Sequence, residues 1–275
     1  RVQGMDVVVT KEMPVDGDTI ARFPDSVQLI CEAGTGYNNI DIEAARASGI
    51  TVCNIPAYST ERVAHTAIMM ILNLSSSMQI QQAMLARGDR SNFTKCMQVS
   101  HVEVNGKVLG VVGAGTIGRE VIKVAQALGM KVLAYTRTPR ADEDNLKYVS
   151  LEELLKQSDY ISLHCPLTPQ TRHMINKETI AMMKPTAYII NTGRGALIDE
   201  PALIEALKEG RIAGAGLDVQ ETEPPVQDNP LYDMPNVILT PHMGWKGLET
   251  RQRLVSILAA NIQAFDEGRP QNVVS

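Results

Sequence analysis

The sequence predicts an α/β fold built on doubly wound parallel sheets. Two observations predict it. Short apolar runs alternate with helix-like stretches from Val7 to Leu239, the pattern of strand–helix–strand units. One such run, ending at Val112, leads into Gly113, Gly115 and Gly118, a G-x-G-x-x-G turn at the mouth of an amphipathic stretch. At 275 residues the chain is long enough for one large or two modest domains.

Taken in order, Val7–Thr10 reads as a buried strand, followed by a polar stretch from Lys11 to Pro24 and a second strand, Val27–Cys31. Gly34, Thr35 and Gly36 form a flexible turn. Asp41 is placed to cap a helix reaching Gly49, and a strand from Ile50 to Ile55 stops at Pro56. The spacing of Val63, Ala67, Met70, Ile71 and Leu74 predicts one long helix over 59–85, with Thr60 as its cap. Its Ala67–Leu72 stretch is apolar on nearly every side, which suits domain packing or a subunit interface, so a homodimer through this helix is expected. Gly88 to His101 reads as a loop, and Asn105-Gly106 as a turn.

The glycine turn follows. Leu109, Val111 and Val112 suit a buried parallel strand. Gly113 permits a tight turn, Gly115 a close approach of a pyrophosphate to the backbone, and Gly118 close packing of helix on strand. The helix N-terminus offers unpaired N–H groups and its positive dipole end to phosphates. Gly129 ends the helix and Met130–Tyr135 forms the next strand. Further on, Ser150 with Glu153 is a capping-box signature for a helix over Leu151–Gln157. Strand Tyr160–His164 is stopped by Pro166. A helix from Asn176 or Lys177 to Met183, strand Ala187–Asn191, a helix from Glu200 to Gly210 and strand Ala215–Val219 complete the alternation. A proline-rich loop to Pro235, a short strand Val237–Leu239 and an amphipathic tail helix from Leu248 through Phe265 close the chain.

The formal charge of −5 leaves no electrostatic footprint for nucleic acid. Cys31, Cys53, Cys96 and Cys165 are scattered, without zinc spacing. They read as buried free thiols of a reducing cytoplasmic compartment, and no metal is expected. The longest apolar stretch is too short to span a bilayer, and there is no signal-peptide pattern.

A G-x-G-x-x-G turn in this setting points to a dinucleotide. An NAD site usually carries a carboxylate about 20 residues on for the ribose 2′-hydroxyl. Here that position is Thr136, followed by Arg137, Thr138 and Arg140. The missing carboxylate and the two guanidinium groups favour NADP(H), with NAD(H) possible. Hydride chemistry also needs a proton donor and a clamp for the acceptor. Arg194, in N-T-G-R-G after a strand, suits a carboxylate clamp. His242, at the end of the last strand, suits a proton donor. Glu223, with Glu221 as its rival, would hold the histidine's tautomer if the two touch.

G-A-G-T-I-G, H-C-P-L-T, N-T-G-R-G, G-L-D-V, E-P and P-H together resemble the D-isomer-specific 2-hydroxyacid dehydrogenases, across nearly the whole chain. G-T-G-Y-N-N-I-D, I-P-A-Y-S-T and P-H-M-G-W resemble the hydroxypyruvate reductase and glycerate dehydrogenase branch. The resemblance implies two Rossmann-like domains with a cleft between them. Residues 1–60 and 244–275 would bind substrate, and 61–243 the dinucleotide. It implies that Arg194 binds a small 2-keto acid, that Glu223 rather than Glu221 pairs with His242, and that His242 donates the proton. It further implies that N–H groups around Thr35 and Gly36 hold the carboxylate and that Thr116 and Ile117 lie on the pyrophosphate. Asp218 would lie near the nicotinamide amide, and Cys165, Pro166, Thr192 and Gly193 would line the cofactor. Thr136, Trp245 and a Ser91–Val99 loop without the branch's aromatics depart from the family pattern. The family's first strand and helix are expected to be missing ahead of Arg1. Two other readings stay open: a nucleotide-sensing corepressor-like protein, which need not keep a proton donor, and a formate or phosphite dehydrogenase, of which the formate enzymes pair the histidine with an amide.

Overall fold

A computed structural model describes residues 2–11, 13–94, 96–138 and 140–275, leaving Arg1, Glu12, Lys95 and Pro139 outside. The chain divides into two compact units, residues 1–59 with 245–275, and residues 60–244.

The first unit holds β1 (Val7–Thr10), α1 (Gly17–Ile20), β2 (Leu29–Glu32), α2 (Ile42–Ala47) and β3 (Thr51–Cys53), with the C-terminal helix Leu248–Asp266. Its sheet is parallel in the order β1-β2-β3, with Thr10 opposite Glu32 and Cys31 opposite Cys53. β1 is an edge strand rather than a buried one, and Val9 is 50% exposed. The polar stretch after it contains α1, because the Asp16 carboxylate accepts the Thr19 N–H and caps one turn. Asp41 caps α2 in the same way through Ala44 N–H. The C-terminal helix lays Leu254, Ile257 and Leu258 against Ala33, Ile55 and Tyr58.

The second unit begins with α3 (Thr60–Ser75) and α4 (Met78–Ala86), not the single helix expected over 59–85. The break has a local cause. Ser75 Oγ bonds back to the Leu72 carbonyl, and Ser77 takes a left-handed φ of 46° while its hydroxyl donates to Ser100 O, so serine side chains compete with the helix. The expected loop after Gly88 holds a single turn, α5 (Ser91–Thr94).

Then come β4 (Val108–Val112), α6 (Thr116–Ala127), β5 (Lys131–Tyr135), β6 (Leu146–Tyr148), α7 (Leu151–Gln157) and β7 (Tyr160–Leu163). They are followed by α8 (Lys177–Ile180), β8 (Tyr188–Asn191), α9 (Glu200–Lys208), β9 (Gly214–Leu217) and β10 (Val237–Leu239). β6 went unread because L-K-Y is too short and mixed to show a period. Ser150 caps α7, but the Glu153 carboxylate turns to Gln157 instead of closing the box. The reciprocal capping box sits at α8, between Asn176 and Thr179, and α8 stops at Ile180, short of Met183.

All seven strands are parallel, in the order β10-β9-β8-β7-β4-β5-β6. The strand order reverses between β4 and β7, and ligands of such sheets bind at the carboxyl ends flanking that point. α3 packs against α6, β8 and β9. Met70, fully buried on α3, fills the space that the missing side chain of Gly216 leaves on β9. No described helix is long and apolar enough to cross a membrane.

Candidate active site

The glycine turn lies at the point where the strand order reverses. Gly113 has a φ of +98°, and a side chain there would meet Cys165 N, just past β7, at 2.6 Å. A side chain on Gly118 would meet the Gly113 carbonyl at 2.1 Å, so glycine lets α6 sit down on β4. Gly115 faces open space, and α6, whose first residues are Thr116 and Ile117, has no side-chain cap. With no side chain to cap them, the first N–H groups of α6 are left for an anionic ligand. Thr192, 8% exposed at the carboxyl end of β8, has a buried hydroxyl with no protein partner. An open glycine cradle, an uncapped helix and an orphaned hydroxyl fit a dinucleotide. At the far end, the Thr136 hydroxyl donates to Thr138 O at 2.7 Å, while Arg137 and Arg140 are exposed.

Arg194 stands on the loop after β8, and Asn191 folds that loop. Asn191 Nδ2 donates to Arg194 O at 2.8 Å, and Asn191 Oδ1 accepts Gly193 N–H at 3.0 Å. This is an Asx-type turn that the Asn of N-T-G-R-G could have signalled. Arg194 Nη1 donates to Gly193 O at 2.9 Å. The next residue, Gly195, lies so close to Gln220 O that a side chain would overlap it. This contact joins the arginine loop to the segment carrying Glu223.

His242 Nδ1 donates to Glu223 Oε2 at 2.7 Å, and Glu223 Oε1 accepts Gln220 N–H at 3.1 Å. Burial pushes the Glu223 carboxyl up. The His242 hydrogen bond and charge, the Gln220 N–H and the Arg194 charge outweigh it and hold the group below the ordinary carboxylate value. Glu223 is therefore ionised at neutral pH and fixes Nδ1 as the protonated nitrogen of His242, leaving Nε2 as the other ring nitrogen.

Asp218, 2% exposed, supports the turn that presents His242. Its carboxylate accepts Thr240 Oγ1 at 2.5 Å, Met243 N at 2.8 Å and Gly244 N at 2.8 Å, and its carbonyl accepts His242 N at 2.9 Å. These bonds hold His242 at a left-handed φ of 48°, a conformation that persists only when its surroundings enforce it. The resemblance puts Asp218 near a nicotinamide amide, and the structure places its carboxylate at the base of the 240–244 turn.

The rival groups are occupied elsewhere. Glu221 accepts His173 Nε2 at 2.6 Å and Arg172 Nη2 at 3.0 Å. His164 lies 2.8 Å from Ser162 Oγ, and burial pushes its imidazole down to about 4, so it is neutral at pH 7. The Cys165 thiol is pushed up to about 11 by burial. Cys96 is exposed and Cys165 partly buried, against the expectation that all four thiols are buried, while Cys31 and Cys53 are fully buried. In the first unit, Thr35 Oγ1 donates to Ile55 O at 3.0 Å, and Asn54 Nδ2 donates to Thr35 O at 2.8 Å. These bonds shape the Thr35–Gly36 turn just beyond β2.

Residues 68–244 match the family model described as the NAD binding domain of D-isomer specific 2-hydroxyacid dehydrogenases. The chain is 42% identical over 279 residues to the hydroxypyruvate reductase of Blautia hydrogenotrophica, covering 100% of this chain and 86% of that protein. It is 41% identical over 278 residues to the glycerate dehydrogenase of Methylorubrum extorquens, covering 100% and 87%. Among solved structures it is similar to a glyoxylate reductase from Paecilomyes thermophila, with a TM-score of 0.90 and 35% identity over 98% of this chain and 83% of that one.

Proposed function

This chain belongs to the D-isomer specific 2-hydroxyacid dehydrogenase family, and from that premise we propose that it reduces small 2-keto acids, hydroxypyruvate and glyoxylate foremost, to D-2-hydroxy acids. It is an oxidoreductase of the hydroxypyruvate reductase, glycerate dehydrogenase and glyoxylate reductase type with a nicotinamide cofactor. The observation that carries the reading is the 2.7 Å contact between Glu223 and His242, with Arg194 close enough for its charge to act on Glu223.

The residues divide the work as follows. The glycine turn and the first N–H groups of α6 would hold the pyrophosphate, with Cys165, Pro166, Thr192 and Gly193 along the nicotinamide half. A bound nicotinamide supplies the hydride. Arg194 pairs with the substrate carboxylate and polarises the neighbouring keto oxygen. The resemblance assigns the N–H groups around Thr35 and Gly36 a share in holding the carboxylate. Protonated His242, with Glu223 stabilising its charge, gives the Nε2 proton to the oxygen as it becomes an alkoxide. In the reverse direction, neutral His242 takes that proton back.

NADPH is the preferred cofactor on this reading. No carboxylate stands at Thr136 to repel a 2′-phosphate, and Arg137 and Arg140 are exposed beside it. The working unit is a homodimer through α3 and α4. No residue of α4 is buried, and Leu72, Met78 and Leu85 are each more than one-third exposed. Turnover of glyoxylate, hydroxypyruvate, pyruvate and bulkier keto acids with each cofactor tests the activity. Hydroxypyruvate or glyoxylate with NADPH should head the panel, and equal kcat/KM for NADH and NADPH would end the cofactor preference. Light scattering at micromolar concentration should give twice the 30.0 kDa chain mass, and a monomer would contradict the dimer.

A further inference from the structure

The proposed chemistry leaves one buried charge unused. β2 reads Leu29, Ile30, Cys31, Glu32, and all four side chains are fully buried. A carboxylate in that place is expensive to bury, and a buried ion pair is weak evidence for stability. Glu32 therefore calls for a reason other than stability. It ends β2, at the carboxyl edge of a parallel sheet where ligands bind, and Lys11 follows the end of β1 beside it.

The two groups converge on one point. A side chain on Gly34 would meet Glu32 Oε1 at 3.1 Å and Lys11 Nζ at 3.4 Å, with Gly36 O at 3.9 Å. Glu32 Oε2 is held by Asn39 Nδ2 at 2.9 Å. The Lys11 ammonium also lies 4.1 Å from the centroid of the Trp245 ring, a cation–π distance. A buried anion and an aromatic face thus fix the direction of a half-buried cation, against the glycine that precedes the Thr35–Gly36 turn.

We propose that Lys11 is a specificity-determining residue, oriented by Glu32 and Trp245, that donates a hydrogen bond to an oxygen on the third carbon of the 2-keto acid. The inference rests on the reading in which Thr35 and Gly36 hold the substrate carboxylate. Lys11 stands beside Gly34, the residue that precedes that turn. Glu32 offsets the Lys11 charge, so the site selects a neutral hydroxyl rather than a second anion. Hydroxypyruvate carries that hydroxyl, pyruvate has a methyl in its place, and glyoxylate has no third carbon. Sites that hydrogen-bond a hydroxyl discriminate strongly against substrates lacking it.

The test compares kcat/KM for these three acids in the wild type, K11M and the double variant K11M/E32Q. The double variant leaves no uncompensated buried charge, so it separates specificity from folding. In both variants the hydroxypyruvate-to-pyruvate ratio should fall at least tenfold, mainly through a higher KM for hydroxypyruvate. Hydroxypyruvate should also lose at least ten times more kcat/KM than glyoxylate does. If all three acids fall by a common factor in the folded double variant, Lys11 serves the structure or the shared carboxylate, and the assignment is overturned. A ratio within twofold of wild type overturns it as well. A wild type that reduces none of the three removes the proposed function itself, and the Lys11 role with it.

Discussion

Replacing Glu223 with Gln isolates the contribution of the carboxylate to the proposed proton donor. The variant keeps the side-chain length and can still reach His242, but it removes the charge that lies 2.7 Å from Nδ1. Two unit charges at that distance in an effective dielectric of about 20 attract by ~6 kcal/mol. The Glu223 side chain is 36% exposed, and solvent screening reduces this toward the ~1.5–3 kcal/mol of a hydrogen bond to a charged group. An imidazolium that has lost that support should slow keto-acid reduction about 10- to 150-fold in kcat. The assay is kcat for hydroxypyruvate at saturating cofactor across pH 6–8. A kcat for E223Q within twofold of wild type over that range would show that the carboxylate does not support the proton donor. Stability gives a second readout with a definite sign. The Glu223 pKa is lowered from 4.5 in the folded chain, so its stabilising contribution is complete above that value and is lost as pH falls through the folded value. The Tm gap between wild type and E223Q should therefore be constant above pH 4.5 and shrink in more acid solution.

Three other variants probe the cofactor cradle and the core beneath it. R137A/R140A should raise KM for NADPH about tenfold or more, the loss of one to two charge-assisted bonds, and change KM for NADH far less. Equal effects on both would show that the arginines do not read the 2′-phosphate. M70A empties a fully buried site beside Gly216 and should cost about 2–5 kcal/mol in urea unfolding; a loss under about 1 kcal/mol would mean that the site collapses freely. G118A forces a side chain onto the Gly113 carbonyl, so it should raise KM for the cofactor and lower Tm together. A normal cofactor KM in G118A would contradict the close fit of α6 on β4.

The alternating parallel architecture was legible because most strands are short apolar runs closed by a distinct stop, as at Pro56, Pro166 and Asn191. The proton-donor pair was legible as residue types, since Glu223 and His242 stand in short motifs, but 19 positions separate them and spacing alone could not say that they touch. What escaped notice depended on contacts remote in sequence. The serines that split α3 from α4 act through Leu72 O and Ser100 O, and an apolar period does not register them. The support that Asp218 gives the 240–244 turn spans more than 20 residues. Glu32 and Lys11 lie 21 positions apart, and only the parallel pairing of β1 with β2 brings both against Gly34. A charged residue closing an otherwise apolar strand was the signal available for them.

Reduction of a 2-keto acid by this chain should be D-specific. Chiral chromatography of the glycerate formed from hydroxypyruvate and reduced cofactor tests it most directly. D-glycerate alone, in amounts matching the cofactor oxidised, is the expected result. L-glycerate, a racemate or no glycerate would contradict it.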